Sequence, residues 1–267
     1  MRLIENRFTR KQLFIGLAAC SLLLIGGIGF GFWRQQTSEK PPEWPTPNDY
    51  SYGSYTASNG IELHGIWTDP DNIQLTAIDR NLNDSPYFGI NGGFFYQKAL
   101  LSIAVNDGVP VIGKKQDYGS GWSNEKYARG TFVWDRASRQ FSVQKVSSVE
   151  ELTLSDHERY WAQGGISMNL QDEANWHRLA EDEHMPGIDE WHMRTGLVYD
   201  IKNKVVLLVT NDLCTAENFR AAVREWGGED YRDGIFLDGD GSSQFKSKEA
   251  QLPGDHREVR QILNVIR

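Results

Sequence analysis

Asp233-Gly-Ile-Phe-Leu-Asp238-Gly-Asp240-Gly-Ser-Ser-Gln-Phe245 (DGIFLDGDGSSQF) is the stretch on which the reading of this chain turns. Ile235, Phe236 and Leu237 are apolar and β-prone, and they run directly into Asp238. A short apolar run bounded by turn residues predicts a buried strand, Gly234–Asp238, that delivers Asp238 to its end. Gly239 and Gly241 allow positive φ or close backbone approach in the loop that follows. Successive amides of Gly239–Ser243 could then form an anion-binding concavity flanked by carboxylates and hydroxyls. Asp-Gly is equally a hairpin-tip signal. Counted from Asp238, the residues Asp238, Asp240, Ser242 and Glu249 fall at positions one, three, five and twelve of an EF-hand. Ser243 occupies the position that needs glycine, and the preceding residues read as strand, so only a looser cation site stays open.

Working outward, Ala216–Trp226 reads as a helix capped by Thr215, with Phe219, Ala222, Val223 and Trp226 on one face and Gly227-Gly228 as its stop. It hands the chain to the central strand. Further strands are expected at Glu62–Trp67, Ile73–Asp79, Leu101–Asn106, Gly130–Asp135, Phe141–Lys145, Gly196–Asp200, Val205–Thr210 and Gln261–Ile266, with Asp200–Lys204 as a hairpin turn. The fold class is α+β: one strand-rich, mixed-sheet domain with few helices over residues 56–267, long enough to bury a sizeable core.

Ahead of that domain lie a basic tail (1–12), an uncharged span of 21 residues (Leu13–Trp33) and a Pro-rich linker (34–55). The span matches a hydrocarbon core of about 30 Å, and the basic flank predicts a cytoplasmic N-terminus with the domain outside the cell membrane. Leu17-Ala18-Ala19-Cys20 offers a lipoprotein box as an alternative, although the apolar run continues past it. The net charge of −8 leaves about −12 for the residues after the basic tail and Arg34. An acidic domain excludes nucleic acid as a partner, because phosphate-backbone binding needs a basic face. Cys214 alone lies outside the span, so no disulfide forms there.

Four other stretches could carry chemistry. Asn91-Gly92-Gly93-Phe94-Phe95 and Ala162-Gln163-Gly164-Gly165 are glycine-rich breaks. His192-Met193-Arg194-Thr195-Gly196 sets an imidazole, a guanidinium and a hydroxyl just before a strand, and arginine suits bidentate phosphate capture. The bland alternative for Arg194 is an ion pair with Asp189, Glu190 or Asp200. His177, His184 and His192 lie among acids without zinc-motif spacing, and no G-x-S-x-G elbow is present.

Taken in order, NGGFF (91–95), AQGG (162–165), HMRTG (192–196), the capped helix and LDGDGSS (237–243) resemble the phosphodiester glycosidase family, enzymes of the N-acetylglucosamine-1-phosphodiester α-N-acetylglucosaminidase type. The resemblance spans residues 56–267. It departs at Asp240, where the family has glycine. It implies hydrolysis of the glycosidic C–O bond of a sugar-1-phosphodiester in a cell-surface polysaccharide or glycoconjugate. Asp238 would be the carboxylate that stabilises the oxocarbenium ion or activates water, Arg194 the phosphate ligand and His192 a weaker candidate for proton transfer. Asn91, Gly92, Gly164, Gly165, Thr195, Gly239, Asp240, Gly241, Ser242 and Ser243 would surround the substrate. No metal ligand is assigned, and calcium beside Asp238 and Asp240 is the only cofactor allowed for. Arg194→Lys is expected to lower activity with little change in stability. The readings from other classes are a non-catalytic module binding polysaccharide or a cation, and a phosphodiesterase that cuts P–O.

Overall fold

The apolar runs are buried on both faces, and this explains why they do not alternate. Leu197 and Val198, like Val206 and Leu207, are fully buried neighbours that point into two different hydrophobic clusters. A computed structural model describes residues 46–267, all within one unit, Trp44–Arg267. The expected membrane span and Cys20 lie outside the described residues. Among the described residues no helix is long and apolar enough to cross a membrane.

The central sheet has six strands, in the spatial order Tyr50–Thr56, Glu62–Thr68, Val205–Cys214, His192–Asp200, Tyr231–Phe236 and Ile166–Ser167. One face carries Leu63, Val198, Val206, Leu208 and Phe236 against the helix Ala216–Gly227. The helix is built as its pattern predicts. Thr215 accepts a hydrogen bond from the Asn218 amide, and Phe219, Ala222 and Val223 are buried. It joins two strands that flank His192–Asp200, and both run antiparallel to it. The opposite face packs on a five-stranded sheet that contributes Phe132, Trp134 and Trp161. A third sheet, also of five strands, carries Gly89–Asn91, Phe245–Lys246 and Val259–Val265.

The domain is strand-rich with two α-helices among the described residues, and the sheets correct the expected mixed architecture: every described ladder is antiparallel. Two other expectations also change, and one helix was not expected. Tyr50–Thr56, expected as linker up to Tyr55, is the edge strand of the central sheet, paired residue for residue with Glu62–Thr68. Gln163 and Gly164, expected in a loop-like break, belong to the strand Tyr160–Gly164. Trp176–Asp182 is a helix of seven residues whose burial rests on Trp176 and Ala180 alone, too little to show as periodicity. The Asp200–Lys204 turn forms as read, with the Asp200 carboxylate accepting from the amides of Lys202 and Lys204.

The functional consequence is local. The chain leaves the central sheet at Phe236 and enters the third at Phe245. Asp238–Gln244 is therefore the crossing between two sheets, fixed at both ends.

Candidate functional site

Asp238 follows the strand end by two residues, held by its amide to the Gly92 carbonyl and by its own carbonyl to Asn91 Nδ2 (2.8 Å). Asn91 is fully engaged beneath it. Its Oδ1 accepts from the Thr195 hydroxyl (2.9 Å) and the Gln244 amide (3.0 Å), and the Thr195 hydroxyl lies 3.1 Å from that of Ser243. These groups bring three elements together from the first, third and crossing segments, and all are buried.

The pocket above this base encloses about 250 Å³. Phe94, Met185, Pro186 and Leu237 form an apolar wall; Arg194, His192, Glu190, Asp238, Gly239, Asp240 and Arg257 supply the polar side. Larger clefts of about 450 and 660 Å³ open elsewhere, and neither contains the Asp238 loop. The Asp238 carboxyl is half-buried, and burial pushes it up to about 7. Hydrogen bonds from Ser242 and the Gly239 amide, together with the Arg257 charge, oppose that rise without cancelling it.

Arg194 is 5 % exposed. Period two along the strand places it on the same side as His192, with a register shift between them. Its Nε donates to the Cys214 carbonyl (3.2 Å), and Nη2 donates to the carbonyls of Gly187 (2.6 Å) and Glu190 (2.7 Å). No carboxylate neutralises it through a hydrogen bond, and Nη1 has no protein hydrogen bond among the described residues. Burial lowers its pKa, against the nearby thiol and the acids Glu190 and Asp240. The guanidinium therefore pins the 187–190 segment to the strand and keeps one nitrogen for a ligand. The ion-pair alternatives do not form: Glu190 contributes its backbone carbonyl, and the Asp200 carboxylate serves its own turn.

His192 Nε2 shares a hydrogen bond with Glu190 Oε2 (3.0 Å), and Nδ1 lies 3.5 Å from Asp240 Oδ1. Asp240 Oδ2 accepts from Arg257 Nη2 (3.3 Å). Burial pushes the Asp240 carboxyl up, but the Gly241 amide, His192 and Arg257 together hold it below its ordinary value. Asp240 thus has protein cations as counter-ions. Among the described residues no group of three or more His, Cys, Asp or Glu side chains is placed to hold a metal ion. Of the three histidines noted in sequence, His177 pairs with Asp189 and His184 stacks on Tyr127, each apart from His192.

The expected ring of substrate-binding residues needs correction. Asp238, Gly239, Asp240, Arg194 and His192 line the pocket, whereas Asn91, Gly92, Gly164, Gly165, Thr195, Gly241, Ser242 and Ser243 do not. Nor is there an open nest of amides. Those of Ser242, Ser243 and Gln244 bond to Gly239 O, Asp240 O and Asn91 Oδ1, while those of Gly239 and Gly241 serve Asp238 and Asp240. Positive φ falls on Asp240 (+54°), not on a glycine. Gly241 is there for close approach: a Cβ would meet Asp255 Cγ at 2.1 Å and Arg257 Nη2 at 2.4 Å.

With the geometry in place, comparison with solved structures carries weight. The catalytic domain of zebrafish N-acetylglucosamine-1-phosphodiester alpha-N-acetylglucosaminidase, auto-inhibited by its pro-peptide, superposes with a TM-score of 0.57. The fold is shared with that enzyme. The match covers 86% of this chain and 85% of that one at 13% identity, so the likeness is one of fold. An exported protein of Burkholderia pseudomallei K96243 gives a TM-score of 0.50 at 13% identity, covering 78% of this chain and 74% of the other. No protein-family model matches the chain, and no curated protein matches it in sequence.

Sequence reasoning missed Arg257, the arginine whose charge acts on Asp238. It lies in Asp255-His256-Arg257-Glu258, which has no motif and reads as a solvated charge run. Gly241, with room for Arg257 against its backbone, was the only local signal. In the sequence, Phe94 stood out only as part of the NGGFF break. It is a pocket wall, with the Arg129 guanidinium 5.0 Å from its ring centroid.

Proposed function

We propose that the domain hydrolyses the glycosidic C–O bond of a sugar-1-phosphodiester. The observation that carries this reading is Asp238, a carboxyl with pKa lifted to about 7 in a pocket that also holds Arg194 and Arg257. The shared fold with an N-acetylglucosamine-1-phosphodiester hydrolase supports it. The apolar wall of Phe94, Met185, Pro186 and Leu237 suits a sugar ring, and the arginines suit the phosphate.

The chemistry asks little of a general acid. A phosphomonoester leaves readily, its second pKa being about 6. What the reaction needs is a base near the anomeric carbon and charge stabilisation on the departing group. Ionised Asp238 takes a proton from water as the water oxygen bonds to C1. The C1–O bond breaks, and the bridging oxygen leaves with the phosphate toward Arg194 Nη1 and Arg257. The products are a free sugar and a phosphomonoester. His192, with Glu190 and Asp240 on its two nitrogens, orients charge at the rim.

Turnover in ¹⁸O-water tests this directly. Label in the sugar C1 hydroxyl is the expected result. Label in the phosphate would replace the reading with P–O cleavage, and tight binding without turnover would replace it with a binding module.

We also propose that the domain acts outside a cell membrane on surface polysaccharide or glycoconjugate, held by the uncharged Leu13–Trp33 span. Protease added to intact protoplasts should remove the domain. Protection of residues 56–267 would overturn the topology.

A further inference from the structure

Asp240 holds a backbone conformation, φ +54°, that glycine adopts without strain and that side-chain residues adopt at a cost. Nine other described non-glycine residues share positive φ, and aspartate adopts it readily, so what matters is where this conformation puts the carboxylate. That side chain is exposed, and its carboxylate lies between Arg257 Nη2 (3.3 Å) and His192 Nδ1 (3.5 Å).

The charge around the pocket is the second observation. Arg194 and Arg257 are the permanent cations of the lining. Facing them are Asp240 and Glu190 in the lining, and Asp255, which holds Arg257 from behind through Nε and Nη2. Asp238 adds a further negative charge when ionised, and His192 a positive one when protonated. Even with Asp238 neutral, three carboxylates stand against two arginines. Every ligand charge meets that surplus as well as the arginines, so the repulsion on a doubly charged ligand is about twice that on a singly charged one.

We infer that Asp240 is a charge-selecting residue, which admits a singly charged phosphodiester and rejects the doubly charged phosphomonoester. The inference rests on the function proposed above and extends it to the order of events. The substrate carries one charge. The product carries two at pH 8, because its second pKa is about 6. Asp240 therefore discriminates against sugar 1-phosphates as ligands and drives the phosphate product out once the bond has broken. One like charge on a solvated rim is worth about tenfold in affinity per added ligand charge, between the limits for water and for a protein surface.

The test measures binding of N-acetylglucosamine 1-phosphate and of its methyl phosphodiester at pH 8 by titration calorimetry. The full-length protein carries Asp238→Asn, so that neither ligand is consumed. With Asp240 in place, the diester should bind at least about tenfold more tightly than the monoester. Adding Asp240→Asn keeps a hydrogen-bond acceptor for Arg257 and removes the charge. The preference should then fall to within about twofold, mainly through tighter monoester binding. Asp240→Gly should give the same result and also relieve the backbone. A ratio unmoved by both substitutions, or a monoester preference with Asp240 present, would overturn the inference. Wild-type turnover in labelled water is read separately. An active enzyme whose binding ratio ignores Asp240 removes charge selection alone. An inactive protein that still prefers the diester removes the hydrolase reading alone.

Discussion

Asp238→Asn should nearly abolish turnover and at the same time stabilise the domain in alkaline solution. The kinetic half follows from its role: losing a general base costs about 10²–10⁴-fold. Wild-type activity should rise about tenfold per pH unit below 7 and level off above it, because the ionised form is the one required. A rate that fell through pH 7 would instead make Asp238 an acid. The stability half follows from linkage. The folded-state pKa, about 7, lies above the ordinary value of 3.8, so the folded protein holds a proton that the unfolded chain has released. The stability contributed by this group is full below pH 4 and is lost progressively as pH rises through 7. At pH 8 the loss is on the order of 4 kcal/mol, and asparagine, which never ionises, escapes it. The measurement is urea unfolding of both proteins at pH 4 and pH 8. Equal stability at pH 4 with the variant ahead at pH 8 is the expected pattern. A variant weaker at both values would show that the carboxyl supports the fold.

Arg194→Lys should be the most damaging conservative change in the site. The sequence-based expectation was lost activity with stability scarcely moved, and the geometry revises it. Arg194 is 5 % exposed, and two of its nitrogens serve the carbonyls of Cys214, Gly187 and Glu190. A lysine ammonium cannot span those three acceptors, and the carbonyls left behind are costly in a buried setting. The expected loss is about 2–4 kcal/mol, with the melting temperature falling roughly 5–10 °C for a domain of this size. The 187–190 segment should loosen with it, opening the pocket wall formed by Met185, Pro186, Gly187 and Glu190. Hydrogen exchange across residues 184–192 reads this directly. Unchanged protection and melting, with activity alone lost, would return Arg194 to a purely ligand-binding role.

How legible the protein was depended on whether a feature is local. The strand before Asp238, the helix with its Thr215 cap and the Asp200–Lys204 turn are specified within a dozen residues by burial pattern, capping and turn chemistry. The helix and the turn stand where they were read to within a residue, and the strand runs Tyr231–Phe236, starting three residues earlier and ending two earlier than read. The edge strand Tyr50–Thr56 was hidden because its polar, tyrosine-rich alternation follows prolines and reads as linker. Its partner Glu62–Thr68 supplies the ladder that makes it a strand.

The site divides in the same way. Sequence alone placed Asp238 at a strand end beside a glycine-rich turn, and it placed His192 and Arg194 two residues apart just before another strand; the structure extends that strand back to His192 and so puts both on it. It could show that Asn91, Thr195, Ser242 and Ser243 are able to hydrogen-bond, but a residue type does not say which partner will claim it. Tertiary packing gave Asn91 to the Asp238 carbonyl, Thr195 to Asn91 and the loop amides to one another, so these residues support the pocket from below and do not line it. It also brought Arg257, from the loop between two strands of the third sheet, to Asp240, across a glycine with no side chain to block it. The carboxylate at the centre is thus written in the chain. Its burial, its raised pKa and the cations around it exist only once the central and third sheets have met.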